Sequence, residues 1–348
     1  MLYSKDIVQK DLSNIVMDSN IPFDILKGKT VLVTGAMGMI AYYFTCTLMY
    51  LNLHENMEIK VVALVRNGCK AREGFADFAD SRHFQLLIQD VCEPIDYKGK
   101  IDYIFHAAGG ASPKMIKNDP LGIIKANVEG TFNILELARK RQAIRVVYPS
   151  TREVYGKIEN VARIREDMMG VTDPLENRSC YPESKRMAEQ IFKSYYISHG
   201  VNSTLLRIAH VYGPGMDIEH DGRVMSDFIS DIVNNRDIVL KSDGSAERAF
   251  CYLSDAVRAI FLTMLKDIGF EVYNIANETE PMLIRDVAKL LVSIKQEKNL
   301  KVVYQISDDT SGYCNFQRVG LDTGKLEALG WKPFVSLKTG LEQTVHSY

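Results

Sequence analysis

Residues 30–41 read TVLVTGAMGMIA, and this stretch decides the fold. The first five residues have strand character, and the residues after the two glycines have the apolar spacing of a helix. Gly35 allows a tight turn after the strand, because a residue without a Cβ atom adopts backbone conformations that strain other residues. Ala41 is small enough for the helix to pack closely on the strand. The stretch therefore predicts a strand, a tight turn and a helix in direct succession.

The same alternation continues along the chain. Apolar segments with strand character lie at 30–34, 60–65, 84–88, 103–107, 145–148 and 204–208, and helical patterns lie near 38–53, 70–79, 118–141 and 180–199. Short apolar strands that alternate with helices predict an α/β protein with a parallel, doubly wound sheet. After residue 212 the pattern loosens into helices near 225–235, 254–266 and 283–296, with a short strand at 273–275.

Composition excludes several functional classes. The formal net charge of −2 provides no basic field for nucleic acid. The six cysteines form neither a CxxC pair nor a metal-ligand spacing, so we expect free thiols and no metal. No stretch reaches about 18 uninterrupted apolar residues, and the first 20 residues lack the apolar core of a signal peptide. These features predict a cytoplasmic protein with no membrane partner.

The turn after the first strand predicts a dinucleotide site. Gly38 lets the backbone approach a pyrophosphate at the N-terminus of a helix, as in the Rossmann fold. A glycine turn alone is weak support, but a strand before it and a helix after it strengthen the prediction. The residues predicted to contact the cofactor here are Gly35, Met37, Gly38, Met39 and Ile40.

The second and third strands end on residues that bear on the cofactor's adenosine. An acid at the end of the second strand would bind the ribose 2′-hydroxyl of NAD, whereas Arg66 can bind the 2′-phosphate of NADP. Arg66 can equally stack on the adenine, so the sequence leaves NAD and NADP open at this position. Asp90 and Val91 fit a contact with the adenine edge, although Asp90 fits a helix cap equally well.

Tyr181 and Lys185 predict an acid–base site, since a spacing of four places both side chains on one face of a helix. A free tyrosine has a pKa near 10. A neighbouring ammonium and a cationic nicotinamide favour the phenolate, which can then act as a base. The hydroxyl of Thr151, at the end of the fifth strand, can hydrogen-bond the oxygen that is oxidised.

Together these motifs resemble the extended short-chain dehydrogenases of the NAD-dependent epimerase/dehydratase family, which modify nucleotide-linked sugars. The resemblance covers about residues 30–346 and rests on segments 34–40, 106–109, 127–131, 150–156, 207–208 and 212–214 with the Tyr181/Lys185 pair. Within the family, the chain resembles most the UDP-glucuronate decarboxylases, through segments 111–113, 178–181, 185–189, 221–224, 248–250 and 329–333.

The resemblance implies roles for individual residues. Thr151 and Tyr181 would contact the C4 hydroxyl of the sugar, Lys185 would bind the nicotinamide ribose, and Glu153 would lie near the sugar ring. NAD becomes the favoured cofactor, although Arg66 keeps NADP open, and further cofactor contacts would come from Ala107, Ala108, Gly109 and Ile208. The implied ligands of the nucleotide-diphosphate sugar are Ser112, Arg152, His210, Arg223, Arg248 and Arg318, of which the last three would bind the diphosphate.

Several positions depart from the family pattern around the sugar, among them Gly109 and Gly110, which differ from the usual sequence there. Arg152 stands where decarboxylases typically have Ser and 4,6-dehydratases have Asp, which disfavours 4,6-dehydration. His210 replaces an Asn, and Pro182 replaces an acid. Arg152 could pair with a glucuronate carboxylate, but strong pairing would hinder loss of that carboxylate. The identity of the sugar therefore stays open.

We expect an enzyme that works through a transient 4-keto sugar, with decarboxylation as the leading hypothesis and 4-epimerisation as the alternative. A non-catalytic dinucleotide sensor is a rival from another class, but it would not need Thr151, Tyr181 and Lys185 together. A simple NADP-dependent carbonyl reductase is favoured only by Arg66. The family habit implies a homodimer through the helices near 118–141 and 180–199.

The expected organisation has three parts. Residues 1–27 form an N-terminal helical extension, residues 28–212 form the Rossmann NAD-binding domain, and residues 213–348 form mostly a smaller substrate-binding region. That region would lie over the carboxyl ends of the strands, where open α/β sheets bind ligands. The long segment 156–178 suggests a lid.

Overall fold

The computed structural model describes residues 2–266, 269–306 and 319–348. Within these ranges the α-helices are α1 (Asp6–Val16), α2 (Met39–Glu55), α3 (Gly68–Gly74), α4 (Pro113–Asn118), α5 (Pro120–Arg141), α6 (Cys180–His199), α7 (Val224–Val233), α8 (Leu253–Leu265), α9 (Ile284–Ile294), α10 (Gly324–Glu327) and α11 (Leu337–His346). The β-strands are β1 (Thr30–Thr34), β2 (Lys60–Val65), β3 (Phe84–Ile88), β4 (Tyr103–His106), β5 (Arg145–Thr151), β6 (Arg163–Ile164), β7 (Ser203–Ile208), β8 (Val211–Tyr212), β9 (Ile238–Leu240), β10 (Glu247–Arg248), β11 (Cys251–Tyr252), β12 (Phe270–Ile275), β13 (Met282–Leu283), β14 (Val302–Tyr304) and β15 (Gly320–Leu321).

The central sheet has seven parallel strands in the order β12-β7-β5-β4-β1-β2-β3. Every residue of β1 is buried, as expected for a strand covered by helices on both faces. The strand order reverses beside β1, which has β2 on one side and β4 on the other. Doubly wound sheets bind their ligands in the crevice at such a switch point. The predicted α/β fold with a parallel sheet is confirmed.

The seventh strand differs from the sequence prediction. A short strand was expected at 273–275, but β12 spans Phe270–Ile275 and pairs with β7 along its whole length. The preceding helix α8 is buried throughout and packs against α1 and α2. Residues beyond 212 therefore complete the main sheet as well, and the proposed division into domains at residue 212 stays a prediction.

Two helices also begin differently from the prediction. Instead of one helix over 118–141, the chain forms α4 and α5, which are separated at Asp119. The side chain of Asp119 caps α5 by accepting a hydrogen bond of 2.9 Å from the amide of Gly122. Pro120 occupies the first helical position, where its missing N–H group is not needed. The helix expected at 70–79 is divided into α3 and a 3₁₀ turn at 76–78.

The N-terminal extension is bound into the molecule by buried polar groups. Asp11 of α1 accepts hydrogen bonds from the hydroxyls of Tyr43 at 2.6 Å and Tyr252 at 2.7 Å. Arg258 of α8 donates to Asp18 through Nε at 2.8 Å, and both side chains are buried. The predicted helix therefore packs on α2 and α8. The buried carboxylates of Asp11 and Asp18 hold the extension there by hydrogen bonds.

The segment 156–178, expected to be a lid, is attached at several points. Its strand β6 pairs with β15, and Lys157 bridges Val171 within the segment. The guanidinium of Arg186 donates to the carbonyls of Val154 at 2.6 Å and Gly170 at 3.2 Å.

In the described ranges, none of the helices is both long enough and apolar enough to cross a membrane.

Candidate active site

The turn between β1 and α2 forms a cradle that only glycine fits. Gly35 has a φ of 61°, and a Cβ atom there would lie 2.8 Å from the backbone of Ala107 and Ala108. Gly38 precedes the first residue of α2, and no side chain caps that helix. The amides of Met39 and Ile40 in its first turn are therefore the donors that an anion would meet. The cradle and the uncapped helix both fit a dinucleotide pyrophosphate.

A buried histidine fixes the neighbouring turn after β4. Thr34 Oγ1 accepts a hydrogen bond of 3.0 Å from the amide of Ala108 and lies 2.8 Å from Nδ1 of His106. Burial, together with the charge of Lys185, lowers the pKa of His106 to about 3, so the imidazole is neutral. At Gly109, a Cβ atom would lie 2.9 Å from Oδ1 of Asn127. The predicted cofactor residues 107–109 thus lie beside the glycine cradle.

The residues expected near the adenosine lie at the ends of β2 and β3. Arg66 is 3.9 Å from the carboxylate of Asp90, and both side chains are largely exposed. Asp90 accepts a hydrogen bond of 2.9 Å from the amide of Cys92, and this contact, with the charge of Arg66, lowers the pKa of Asp90. Val91 is buried. Asp90 therefore orders a turn and is not a helix cap.

Thr151 and Tyr181 meet where β5 ends and α6 begins. Directly after Thr151 the chain forms one 3₁₀ turn, and Thr151 Oγ1 accepts a hydrogen bond of 3.2 Å from the amide of Glu153. The side chains of Thr151 and Tyr181 are both buried. Burial raises the pKa of Tyr181 to about 12, and the charge of Glu153 adds to this effect, while hydrogen bonding with Thr151 and the charge of Arg223 oppose it.

Lys185 follows one turn after Tyr181 and is buried against β5. Its Nζ donates to the carbonyl of Pro149 at 2.9 Å and lies 4.3 Å from the centre of the Tyr148 ring. Burial lowers the pKa of Lys185 to about 7, although the charge of Glu189 raises it. The protein alone thus favours the uncharged forms of the phenol and the amine, and an added positive charge would favour the phenolate.

Glu153 lies at the edge of this cluster and forms an ion pair that sequence analysis did not predict. Its Oε1 accepts a hydrogen bond of 2.6 Å from Arg178, and both side chains are partly exposed. Arg178 immediately precedes the segment that carries Tyr181, so its guanidinium also acts on the pKa of that phenol. The position of Arg178 three residues before Tyr181 was the available signal.

Two further buried networks were missed. Asn127 of α5 donates to Ser184 Oγ at 3.0 Å, while its Oδ1 accepts from the hydroxyl of Tyr148 at 3.4 Å. The second network joins Ser150, Glu189 and Arg207. An arginine inside the apolar strand 203–208 could have signalled it, because a buried arginine needs a partner.

The residues expected to bind the substrate have varied surroundings. Arg223 forms an ion pair with Asp221 at 2.7 Å, and its charge reaches Tyr181. Ser112 caps α4 by accepting from the amide of Met115 at 3.3 Å.

The other expected substrate ligands lie on three different segments. Arg248 donates to the carbonyl of its neighbour Glu247 at 2.7 Å. His210 adopts a φ of 45°, and its ring centre is 5.8 Å from that of Phe250. Ile208, which was expected to contact the cofactor and not the substrate, is the last residue of β7. Arg318 lies outside the described residues.

Arg152 lies in the 3₁₀ turn that follows Thr151, and its Nη2 donates to the carbonyl of Val319 at 3.4 Å. The alternation of an extended strand would have turned this side chain away from Thr151. Because the backbone turns at this point, the guanidinium instead reaches toward the segment that contains β15.

Known proteins resemble this chain over most of its length. UDP-glucuronic acid decarboxylase 6 of Arabidopsis thaliana is 34% identical over 311 residues, which cover 89% of this chain and 86% of that protein. UDP-glucuronic acid decarboxylase 1 of Xenopus tropicalis is 32% identical over 92% of this chain and 72% of its own.

A UDP-glucose 4-epimerase of Thermotoga maritima, solved with UDP-glucose, superimposes with a TM-score of 0.78. It is 26% identical, and the match covers 91% of this chain and 98% of that structure. The profile of the NAD dependent epimerase/dehydratase family matches residues 31–276. The predicted Rossmann fold, NAD as cofactor and the family resemblance are confirmed. This chain is an enzyme of the NAD dependent epimerase/dehydratase family.

Proposed function

We propose that this enzyme decarboxylates a nucleotide-linked glucuronate, with UDP-glucuronate as the first candidate, through a transient ketone at C4. The observation that carries the proposal is the buried cluster of Thr151, Tyr181 and Lys185 at the end of β5, in the same sheet as β1, which the glycine cradle follows. The decarboxylases of Arabidopsis and Xenopus named above support this substrate class.

The crevice at the carboxyl ends of β1 and β4 would hold the cofactor. The cradle at Gly35 and Gly38 would hold its pyrophosphate, Ala107–Gly109 would lie along it, and Asp90 and Val91 would contact the adenine. Arg66, which Asp90 pairs with, lies at the adenosine end without recognising a 2′-phosphate. When bound, NAD takes up the hydride from C4 of the sugar and later returns it.

Tyr181 is the acid–base residue. Its pKa of about 12 in the protein alone is too high for a base near neutral pH, but the positive charge of an oxidised nicotinamide, when bound, would lower it. The phenolate removes the proton of the C4 hydroxyl, and the hydroxyl of Thr151 orients that oxygen. Lys185 would bind the nicotinamide ribose and, when protonated, would stabilise the phenolate.

Decarboxylation follows from the chemistry of the C4 ketone. The C6 carboxylate is β to this ketone, so the electrons of the C5–C6 bond can pass into the carbonyl as CO2 leaves. The hydroxyl of Thr151 and the phenol of Tyr181 stabilise the negative charge on the C4 oxygen by hydrogen bonds. C5 then takes a proton from solvent, and Tyr181 returns its proton to the C4 oxygen when C4 is reduced.

Glu153 and Arg152 set the environment of the sugar carboxylate. Arg178 holds Glu153 beside the cluster, where Glu153 lies near the sugar ring. The contact of Arg152 with the carbonyl of Val319 supports a structural role for this guanidinium. Because a strong ion pair would hinder departure of the carboxylate, this arrangement is compatible with decarboxylation. Arg223, Arg248 and Arg318 bind the diphosphate, with Ser112 and His210 as further substrate contacts.

The experiment is an incubation of purified protein with UDP-glucuronate and a panel of other nucleotide sugars, followed by mass spectrometry of the products. We expect UDP-glucuronate to give CO2 and a UDP-pentose. An isomer of unchanged mass would establish 4-epimerisation instead, the activity of the Thermotoga relative. Turnover of another nucleotide sugar alone would contradict the proposed substrate.

We also infer that the protein is a homodimer. The helices α5 and α6 pack against each other and leave large apolar side chains exposed to solvent. These side chains are Leu121, Ile124 and Phe132 of α5 with Met187 and Ile197 of α6. Apolar surface of this kind is typical of a protein–protein interface.

A further inference from the structure

A buried cluster of Ser150, Glu189 and Arg207 connects the two elements that carry the proposed catalytic residues. Arg207 of β7 donates to both carboxylate oxygens of Glu189, from Nε at 3.1 Å and from Nη2 at 2.7 Å. Ser150 Oγ donates to the same carboxylate at 2.6 Å. The exposed fractions of the two charged side chains are only 7% and 11%. The pair is therefore a fixed feature of the interior.

The ion pair lies next to the elements that carry the proposed catalytic residues. Glu189 lies on α6 about one helical turn beyond Lys185, and about two turns beyond Tyr181. Ser150 immediately precedes Thr151 at the end of β5, and in the sheet it lies directly opposite Arg207. The carboxylate thus contacts the strand that carries the hydroxyl and belongs to the helix that carries the base.

Arg207 extends the connection to the other side of the site. Its Nη1 donates to the carbonyl of Glu166 at 2.9 Å, and its guanidinium lies 4.7 Å from the ring centre of Tyr155. Tyr155 belongs to the 3₁₀ turn that begins after Thr151, and Glu166 belongs to the segment 156–178. One guanidinium therefore fixes the helix, the turn and this segment relative to one another.

A buried ion pair contributes little to stability compared with apolar side chains of the same volume, because both charges lose their hydration. A contribution to stability therefore does not explain well why a carboxylate and a guanidinium are buried here. Their geometry explains it better, since a bidentate pair holds two elements at a defined distance and angle. Catalytic groups depend on such fixed positions, because a displacement of a reacting group by about 1 Å can lower turnover about a hundredfold.

We propose that Glu189 and Arg207 are a positioning pair, which fixes the helix of the base against the strand end of the catalytic hydroxyl. The inference rests on the proposed function, because it takes Thr151, Tyr181 and Lys185 as the catalytic group. Glu189 also has a second effect, which acts on Lys185. Its carboxylate places a negative charge about one helical turn from the ammonium of Lys185.

The test is Glu189→Gln, which keeps the shape of the side chain and removes its charge. We expect kcat to fall at least about tenfold with KM within about twofold of wild type, since the substrate contacts are unchanged. The matched control is Glu136→Gln, which removes a carboxylate from the outer surface of α5 and should retain wild-type kinetics. The assay uses whichever nucleotide sugar the wild-type protein converts.

A second readout needs no substrate. The titratable groups that contact or act on Lys185 are His106 of β4, Tyr148 of β5 and Glu189 of α6. Of these Glu189 raises the pKa of Lys185, so in Glu189→Gln the ammonium should lose its proton at lower pH. NMR of protein labelled with ¹³C at the lysine Cε measures this titration, with Lys185→Arg to assign the signal.

The two readouts separate the inference from the proposed function. If wild type fails to convert UDP-glucuronate, the proposed substrate is wrong, while a lowered Lys185 titration still supports the pair. A folded Glu189→Gln protein with wild-type kcat and an unchanged Lys185 titration overturns the inference. If that variant does not fold, Ser150→Ala removes only the link to β5. Its kcat should then fall at least about threefold, and wild-type kcat overturns the inference.

Discussion

Tyr181 is the residue on which the proposed chemistry depends most. We expect Tyr181→Phe to fold and to retain NAD, because the ring still fills its buried position, but to lose about two to four orders of magnitude in turnover. Turnover measured together with the amount of bound NAD checks this. Tyr195→Phe, on the same helix and partly buried, is the matched control and should keep its activity. A Tyr181→Phe protein as active as wild type would refute the role.

Individual residues were predicted from the sequence where the chemistry is local. Tyr181 and Lys185 belong to one helix, so their spacing alone places them together, and Gly35 belongs to one turn. Glu189 and Arg207 were not predicted as a pair, because one lies on α6 and the other on β7. Their contact depends on how the helix packs on the sheet, which no local pattern encodes.

At the level of elements, α1 contains a buried carboxylate whose ionisation opposes folding. Burial raises the pKa of Asp11 from 3.8 to about 6, despite hydrogen bonds from Tyr43 and Tyr252. The folded protein therefore holds this proton more tightly than the unfolded chain. The resulting stabilisation is complete below pH 3.8 and is lost as the pH rises through about 6, with a change of at most about 3 kcal/mol.

We expect Asp11→Asn, which cannot ionise, to gain stability relative to wild type as the pH increases. The difference in Tm between variant and wild type should be more positive at about pH 8 than at about pH 5, as measured by calorimetry. Asp6→Asn removes an exposed carboxylate from the same helix and should show a smaller change. A Tm difference that does not depend on pH would contradict the raised pKa.

Elements were predicted well where periodicity and turn chemistry agree. The first strand, its turn and the start of α2 follow from 12 residues, whereas β12 was predicted too short, because its partner β7 is distant in sequence and only its last three residues are fully buried. The division between α4 and α5 had a visible signal in Asp119 and Pro120, a cap followed by the residue suited to the first helical position.

At the level of the whole molecule, the proposed homodimer makes a direct prediction. We expect light scattering to give twice the mass of one chain for wild type. Phe132→Glu, which places a charge on the exposed apolar surface of α5, should shift the protein to a monomer. Leu53→Glu is the control, because it alters another exposed apolar residue on α2. A monomeric wild-type protein would contradict the proposed interface.

The reaction itself is tested most directly by NMR of the product formed from UDP-glucuronate in ²H₂O. If CO2 leaves from a C4 ketone, C5 takes its new hydrogen from solvent, whereas C4 recovers the hydrogen that the cofactor held. We therefore expect a UDP-pentose with one deuterium at C5 and none at C4. A product that keeps its carboxylate and carries no deuterium, or one with deuterium at C4, would contradict decarboxylation through a C4 ketone.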